Sequence, residues 1–328
     1  MRSEYVMLTN EDVVICFEAA FSRKPESQSV IDAHKSFSTS RELLIALMRT
    51  EEFKSQNKII DFPEKWMLCK IDNGSKKMWI DLGDRFVSFG CLHDNYEPVE
   101  TTFIRSNVKE NMHVLDIGAN IGWFTLLMAG LVGPGGRVNS FEPRNDTYYH
   151  LSLSVGENEF TDRVRLFNFG LSDSPAVSRI NWGTNSDNRG GAFVSEHLDG
   201  DQFSSEEIGL VRLDDLSLRR VDFVKIDVEG FEPKAIAGGK NLIGSNSPLM
   251  LSEINFDQLQ QRSGMSYNDF GDFMKSLGYS KYAMIEGKGA ATVEEAALKG
   301  IDIINVAIWS DRRSCILGSA DQVPLPIW

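Results

Sequence analysis

The stretch from residue 114 to residue 125, VLDIGANIGWFT, constrains the fold more than any other part of this sequence. An apolar run ends at Asp116, a short loop with two glycines follows, and apolar residues then recur at helical spacing from Phe124 to Leu131. A strand, a glycine loop and a helix in this order form the first half of a βαβ unit. Such a loop lets a ligand approach backbone amides at the N-terminus of a helix.

The spacing of the glycines distinguishes between nucleotide ligands. A dinucleotide-binding loop needs the pattern G-x-G-x-x-G, but Asn120 and Trp123 stand at its second and third glycine positions. An indole at the third position would hold the helix away from the strand, which argues against a nicotinamide dehydrogenase. The remaining pattern of Asp116, Gly118 and Gly122 resembles the S-adenosylmethionine (SAM) loop of Rossmann-like methyltransferases.

Length and charge limit the other possibilities. The 328 residues suffice for one α/β domain with a smaller module, and the net charge of −13 includes no basic run. Nucleic acids and anionic membranes bind positive faces, so neither is an expected partner. The sequence shows no membrane-spanning run, no signal-peptide core and four widely spaced cysteines, which predicts a cytoplasmic protein with reduced thiols.

The first third of the chain is predicted to form two smaller parts. Residues 1–60 show helical spacing, and Thr39 with Glu42 fits a capping box. They resemble a short helical module found beside sugar-polymer enzymes in bacteria, and a helical cap on the main domain is the alternative. Residues 61–94 predict a short β-meander whose third strand covers 86–89, and the main domain is expected to span 95–328.

The main domain is predicted to open with a helix from Tyr96 to Val108, on which Glu97 and Thr101 would form a lid over the ligand. Strands and helices then alternate, with strands at 113–117, 137–141, 164–169, 222–227, 249–254, 280–285 and 303–309. This order predicts a Rossmann-like class I methyltransferase fold of the α/β class. We expect a mostly parallel seven-stranded sheet with helices on both faces and an antiparallel last strand.

A polar, glycine-rich stretch at 181–205 interrupts the alternation of strands and helices. A loop of this length inside a compact domain is usually functional or disordered. We therefore expect either a substrate lid around Asn188, Gly190 and Gly191, with His197 as a candidate base, or a disordered surface loop.

Polar residues stand at the end of each predicted parallel strand, namely Asp116, Glu142, Asp173, Asp227 and Glu253. Open α/β sheets bind their ligands at the carboxyl ends of the strands. These side chains are therefore expected to surround one site.

The loop after the first of these strands would hold the methionine part of SAM. Gly118, Asn120 and Gly122 would surround that part, with loop amides near its carboxylate. Asp116 would hold the loop itself or accept a hydrogen bond from the SAM amino group.

The next two strands would hold the nucleoside. Glu142 follows Gly122 by twenty residues, a separation typical of an acid that binds ribose hydroxyls. Gly170 and Leu171 follow the third strand and would lie along the edge of the adenine.

The fourth strand carries the most unusual string, in which Lys225 interrupts an apolar strand and three acids follow within a few residues. A charged lysine in such a strand is costly unless it is paired. Together with VLDIGANIGWFTLLMA, SFEP and PLMLSE, the string VDFVKIDVEGFE closely resembles the FkbM family of SAM-dependent methyltransferases over roughly residues 95–310. The resemblance implies SAM as the cofactor and a hydroxyl of a sugar or natural product as the acceptor.

A sugar hydroxyl is a poor nucleophile and benefits from a general base. Asp227 is the first candidate, because its strand neighbours the strand of the SAM loop, and Glu229 and Glu253 are the alternates. Asp227 is also expected to contribute to cofactor binding. Asp227, Glu253 and Asn255 also have the oxygen pattern of a Mg²⁺ site. The remaining alternative is a structural ion network of Lys225 with these acids.

These observations predict a SAM-dependent O-methyltransferase that acts on a sugar, a glycan or a related metabolite, with a role in polysaccharide biosynthesis. N-methylation of a small metabolite is one alternative. A non-catalytic SAM-fold module that docks a glycan-biosynthesis partner is another. The acceptor is expected to be a small molecule or a glycan, and the sequence does not fix the oligomeric state.

Overall fold

A computed structural model describes most of the chain. The described residues are 8–21, 23–37, 40, 43, 46–47, 50, 52, 66–84, 86–183, 191–195, 203–286, 292–317 and 324–327. The chain divides into two compact units, Met1–Pro63 and Glu64–Trp328. No helix within the described ranges has the length and apolar character needed to cross a bilayer.

The first unit contains helices α1 (Asn10–Phe21) and α2 (Gln28–His34). The hydroxyl of Ser27 caps α2 by accepting a hydrogen bond from the amide of Val30. The apolar core of the first unit includes Val13, Phe17 and Leu43. The predicted capping box at Thr39 and Glu42 lies outside the described residues.

The second unit begins with a hairpin of β1 (Trp66–Ile71) and β2 (Lys76–Asp81), followed by α3 (Val87–Leu92) and α4 (Pro98–Asn107). The predicted third strand of the meander is therefore wrong. The Asp84 carboxylate accepts hydrogen bonds from the amides of Phe86 (3.0 Å) and Ser88 (3.1 Å). These bonds satisfy amides at the start of a helix, and they favour α3 over a strand.

The remaining strands form two sheets. In chain order they are β3 (His113–Ile117), β4 (Arg137–Phe141), β5 (Val164–Phe167), β6 (Gly170–Leu171), β7 (Ala176–Gly183), β8 (Phe193–Ser195), β9 (Phe203–Val211), β10 (Phe223–Ile226), β11 (Leu249–Asn255), β12 (Lys281–Glu286), β13 (Ile303–Trp309) and β14 (Leu325–Pro326). The helices between them are α5 (Trp123–Val132), α6 (Asn145–Glu157), α7 (Glu232–Ala237), α8 (Lys240–Asn246), α9 (Phe256–Gln258, followed by a π turn at Leu259–Ser263), α10 (Tyr267–Ser276) and α11 (Val293–Leu298).

The main sheet has the strand order β14-β12-β13-β11-β10-β3-β4-β5. Strands β5, β4, β3, β10 and β11 are parallel, whereas β13 runs antiparallel to β11. This confirms the predicted Rossmann-like methyltransferase fold and the antiparallel last strand of the predicted set. The sheet has eight described strands where seven were expected, because Leu325 and Pro326 pair with β12.

Helices cover both faces of the main sheet. Phe223 belongs to one large apolar cluster and its neighbour Val224 to another, so consecutive residues of β10 face opposite layers. Strands that are buried on both faces read as continuous apolar runs in sequence. Burial on both faces explains why the central strands are recognisable in the sequence.

The second sheet has the order β6-β9-β7-β8 and includes parts of the stretch that the sequence analysis assigned to a loop. That assignment is wrong for 181–183, 193–195 and 203–205, which lie in strands. Buried Ile180, Ile208 and Leu210 pack there with Phe231 and supply the apolar face that a loop would lack. Asn188, Gly190 and His197 lie outside the described residues.

Candidate active site

The loop between β3 and α5 adopts a conformation that its sequence permits. Gly118 has φ +80°, and a Cβ atom there would lie 1.9 Å from the carbonyl oxygen of Asp227. Gly122 has φ +102°, and a Cβ atom would lie 2.4 Å from Cδ1 of Leu151. Asn120 is also left-handed at φ 50°, a region that asparagine tolerates better than most residues. The loop can therefore approach a ligand with its backbone.

This loop forms one wall of a cavity of about 250 Å³ at the carboxyl ends of the parallel strands. The predicted site residues that line the cavity are Gly118, Asn120, Gly122, Glu142, Asp227, Glu229 and Glu253. Of the two predicted lid residues, Glu97 also lines it, whereas Thr101 does not. The strand ends thus bring most of the predicted residues together, as expected for an open α/β sheet.

Asp116 lies beneath the loop and is fully buried. Its Oδ2 accepts a hydrogen bond of 2.6 Å from the hydroxyl of Thr125 on α5, while Oδ1 has no hydrogen-bond partner among the described residues. Burial raises the pKa of this carboxyl, and the charge of Lys225 opposes that rise. Asp116 therefore ties the strand to the helix that follows the loop.

Gly170 and Leu171 form the short strand β6, which pairs with Leu210 and Val211 of β9. Neither residue belongs to the cavity lining. A Cβ atom on Gly170 would lie 2.7 Å from Cδ2 of Leu210, so this glycine permits close packing of β6 on β9. The role of these two residues at an adenine edge stays a prediction.

Glu142 ends β4 and is nearly buried at the cavity wall, with 7% of its surface exposed. Its Oε2 accepts a hydrogen bond from the amide of Asn120 and its Oε1 one from the amide of Arg144, each at 2.9 Å. Burial raises the pKa of this carboxyl to about 7, although both amides act in the other direction. Each oxygen keeps a further lone pair for a ligand hydroxyl, which fits a ribose.

Lys225 and Asp227 form an ion pair on the other side of the cavity, with 3.0 Å between Nζ and Oδ2. Lys225 is buried, and its ammonium lies 5.0 Å from the centre of the Phe124 ring. Burial acts to lower the pKa of Lys225, but the charges of Asp227, Glu97 and Asp116 outweigh it and raise that pKa. The lysine is therefore charged. It neutralises part of the acidic wall, the side of the cavity formed by Asp227, Glu229 and Glu253.

Glu229 and Glu253 complete this acidic wall. Burial, and then the charge of Asp227, raises the pKa of Glu229 to about 7 and that of Glu253 to about 10. For Glu253, repulsion from Glu229 and Glu232 adds to the rise. Neighbouring carboxyl groups that share a buried site do not all ionise, so the wall holds both proton donors and proton acceptors near neutral pH.

The turn after β10 positions Glu229, and the side chain of Glu232 stabilises this turn. Glu232 is buried, and its Oε1 accepts hydrogen bonds from the amides of Val228 (2.9 Å) and Gly230 (3.4 Å). Gly230 has φ +90°, and a Cβ atom there would lie 2.4 Å from the carbonyl carbon of Gln258. The sequence analysis noticed the acids of this string but did not separate Glu232, which holds the turn, from Glu229, which lines the cavity.

Several lining residues were not predicted. They are Phe86, Val87, Tyr96, Trp123, Phe124, Pro143, Arg144, Thr147, Ile180, Ala192, Val194, Lys225 and Val228, whereas Gly191 of the predicted lid and Ala119 and Ile121 of the predicted loop also line the cavity. Arg144 follows the predicted ribose acid by two residues, and its guanidinium lies 4.4 Å above the ring of Trp182 in the second sheet. The sequence signal that could have identified Arg144 as a lining residue is its position two residues after Glu142. Val194 had none, because its strand lies in the stretch taken for a loop, and no element was predicted at Ile180.

The structure gives no support to the Mg²⁺ site of the sequence analysis. Within the described residues, no group of three or more His, Cys, Asp or Glu side chains is arranged to hold a metal ion. Oδ1 of Asn255 accepts a hydrogen bond from the amide of Gln258 and caps α9, while Oδ2 of Asp227 binds Lys225. These oxygens already have partners that a metal would have to displace.

Comparison with known proteins identifies the family. The methyltransferase FkbM domain matches residues 116–281. Methyltransferase sdnD of Sordaria araneosa is 27% identical over 163 residues, which cover 40% of this chain and 62% of sdnD. The AMB antimetabolite synthetase AmbE of Pseudomonas aeruginosa is 31% identical over 214 residues, covering 53% of this chain and 10% of AmbE. The matched region thus spans less than two thirds of each of these relatives.

Among solved structures, the methyltransferase FkbM from Methylobacillus flagellatus KT is similar with a TM-score of 0.41 and 15% identity. The similarity covers 61% of this chain and 44% of that chain. The domain match extends over half of the chain and includes the glycine loop at 118–122, Glu142 and the KIDVEGFE string. The chain therefore belongs to the FkbM family of SAM-dependent methyltransferases, as its sequence motifs predicted.

Proposed function

We propose that the chain transfers a methyl group from SAM to a hydroxyl of a sugar, a glycan or a related metabolite. The observation that carries this proposal is the convergence of Asp227, Glu229 and Glu253 on one cavity with the SAM loop. Carboxylates from neighbouring strand ends suit the removal of a proton from a hydroxyl and the binding of further hydroxyls.

Two features on the cofactor side of the cavity support SAM as the ligand. They are the backbone of the glycine loop at 118–122 and the carboxylate of Glu142. The loop at 118–122 leaves no room for a Cβ atom at Gly118, so this glycine lets the loop pack closely against the backbone of Asp227 at the cavity. Glu142 would accept hydrogen bonds from both ribose hydroxyls through the lone pairs that its two amide partners leave. When bound, SAM supplies an electrophilic methyl carbon on a sulfonium sulfur.

Asp227 would act as the general base. Its Oδ2 binds Lys225, whereas for Oδ1 the described residues supply no hydrogen-bond donor. Oδ1 would take the proton of the acceptor hydroxyl while the hydroxyl oxygen forms its bond to the methyl carbon. Lys225 would balance the charge of the carboxylate before the proton arrives.

Exclusion of water and alignment of the reacting atoms supply the rest of the catalysis, because the reaction neutralises a cation. The loop on one side and the second sheet on the other narrow the cavity with apolar groups, including Ile121, Ile180 and Val194. A neutral polyol that presents hydroxyls to the acidic wall suits this mixed lining.

Two measurements test the proposed function. Titration calorimetry of the full chain with SAM and with S-adenosylhomocysteine (SAH) should give binding in the micromolar range, and Glu142→Ala should weaken it by roughly tenfold or more. Equal binding by wild type and Glu142→Ala would exclude this cofactor site. Mass spectrometry of molecules that co-purify with the chain should supply a candidate acceptor, and analysis of its methylated product distinguishes oxygen from nitrogen.

A further inference from the structure

Tyr96 and Glu97 form a short segment that reaches the cavity from the start of α4. Glu97 has φ +40°, a left-handed conformation that is unfavourable for a residue with a side chain. Such conformations persist only where the surroundings hold them, and they are frequent at functional sites. The contacts that hold this segment therefore decide where the Glu97 carboxylate lies.

One chain of hydrogen bonds links the segment to the SAM loop. The indole Nε1 of Trp123 donates to the hydroxyl of Thr101 (2.9 Å), and this hydroxyl donates to the carbonyl oxygen of Tyr96 (3.0 Å). Trp123 is the first residue of α5 and directly follows Gly122 of the loop. The ring of Tyr96 also packs edge-on against that of Trp123, with 6.3 Å between their centres.

The position of Glu97 matters for the acidic wall. The charge of Glu97 contributes to the raised pKa values of Lys225, Tyr96 and Glu253. These three side chains come from different elements of the fold and line the same cavity. Moving Glu97 would thus change the electrostatics experienced by an acceptor without touching the SAM loop.

We propose that Trp123 is a positioning residue that transmits occupancy of the SAM loop to Tyr96 and Glu97 through the hydroxyl of Thr101. The proposal rests on the proposed function, since it assumes that SAM or SAH occupies the loop. A ligand on the loop fixes the start of α5 and the indole, and the indole fixes the acceptor side. This positioning role also gives a reason for tryptophan at the position where a dinucleotide-binding loop has glycine.

Hydrogen–deuterium exchange of the full chain, with saturating SAH as the probe, tests this proposal without knowledge of the acceptor. In wild type, SAH should slow the exchange of peptides covering 96–107 by roughly threefold to tenfold, the range that corresponds to the net stabilisation of about one hydrogen bond. Trp123→Phe removes the indole N–H and keeps an aromatic ring. At an SAH concentration that saturates the variant, it should lose the slowing at 96–107.

Two further variants separate this role from a general loss of folding. Thr101→Val removes the same bond from the other side and should also lose the slowing, whereas Thr101→Ser keeps the hydroxyl and should retain it. Trp79→Phe is the matched control, because the indole Nε1 of Trp79 has no hydrogen-bond partner among the described residues. It should respond to SAH as wild type does.

The outcomes are distinct. If SAH binds and slows 96–107 equally in wild type, Trp123→Phe and Thr101→Val, the positioning role is wrong while the proposed function stands. It is also wrong if SAH binds wild type without slowing this segment. If SAH does not bind wild type at all, the proposed function and the positioning role both fail.

Discussion

The ammonium of Lys225 and the carboxylate of Asp227 lie 3.0 Å apart at the end of β10. Lys225 is only 5% exposed, and β10 places it in register with buried Asp116 of β3. One cation thus lies between Asp116 beneath the glycine loop and Asp227 at the cavity wall. This arrangement makes the ion pair part of both the fold and the proposed chemistry.

Replacing Lys225 by methionine should destabilise the fold and reduce turnover. A buried ion pair that loses one partner typically costs about 3–5 kcal/mol, because the other charge stays buried. Urea denaturation should show this loss, with Lys225→Arg less affected. The control is Lys281→Met, whose ion pair with Asp311 is 45% and 71% exposed and should change stability by less than about 1 kcal/mol. Equal effects at the two lysines would contradict the role of burial.

Alanine at Gly118 should abolish or severely weaken SAM binding. The Cβ atom would overlap the carbonyl oxygen of Asp227, and φ +80° disfavours any side chain. We expect a loss of at least about thirtyfold in affinity, measured by calorimetry, since the loop must move away from the ligand. Gly133→Ala is the matched control, because Gly133 also has positive φ but has no atom within 4 Å of its Cβ position. Wild-type affinity in Gly118→Ala would exclude the loop as the cofactor site.

SAM binding should weaken as the pH falls through the pKa of Glu142. This pKa is raised to about 7 by burial, and ribose hydroxyls donate to the ionised carboxylate, so binding favours loss of the proton. The dissociation constant at pH 6 should exceed that at pH 8 by roughly threefold to tenfold. Glu142→Gln should bind more weakly and lose most of this dependence. The same pH dependence in Glu142→Gln would assign the titration to another group, such as Glu229.

Glu253 should make the folded protein less stable as the pH rises. Burial and neighbouring charges raise its pKa in the folded state to about 10, far above its ordinary value of 4.5. Between these two values the folded chain keeps a proton that the unfolded chain releases, so the free energy of unfolding falls with rising pH. Glu253→Gln removes this contribution.

The variant should therefore lose stability less steeply than wild type between pH 6 and 9, by up to about 1.4 kcal/mol per pH unit. Thermal unfolding across this range measures the difference. Identical slopes in wild type and Glu253→Gln would show that the Glu253 carboxyl titrates alike in both states.

The sequence predicted those parts of the fold whose pattern is local. Strand β3 and its glycine loop follow from apolar runs, glycine positions and a helix of regular spacing, and so they were found. Glu142 was found because its distance along the chain from Gly122 is itself a signature. The same reasoning placed Asp227, since a strand end in a parallel sheet determines the edge on which a side chain lies.

The parts that were missed depend on contacts between distant segments. Strand β7 pairs with β9 across more than twenty residues, and its polar sequence gave no sign of the apolar contact between Ile180 and Phe231. The helix after β2 depends on two hydrogen bonds to the Asp84 carboxylate, which the alternating pattern of residues conceals. The sequence pattern showed only that Trp123 replaces the third glycine of a dinucleotide-binding loop. Its hydrogen bond to Thr101 joins residues that are 22 positions apart and appears only in the folded structure.

Direct measurement of methyl transfer tests the central claim. The full chain is incubated at pH 8 with SAM labelled in its methyl group and with the co-purified acceptor or a panel of methyl glycosides, and SAH and labelled product are quantified by mass spectrometry. Wild type should form SAH and a methyl ether in equal amounts, and Asp227→Asn at saturating SAM should form product at least about a hundredfold more slowly. Label on nitrogen, or equal turnover by Asp227→Asn, would contradict hydroxyl methylation with Asp227 as the base.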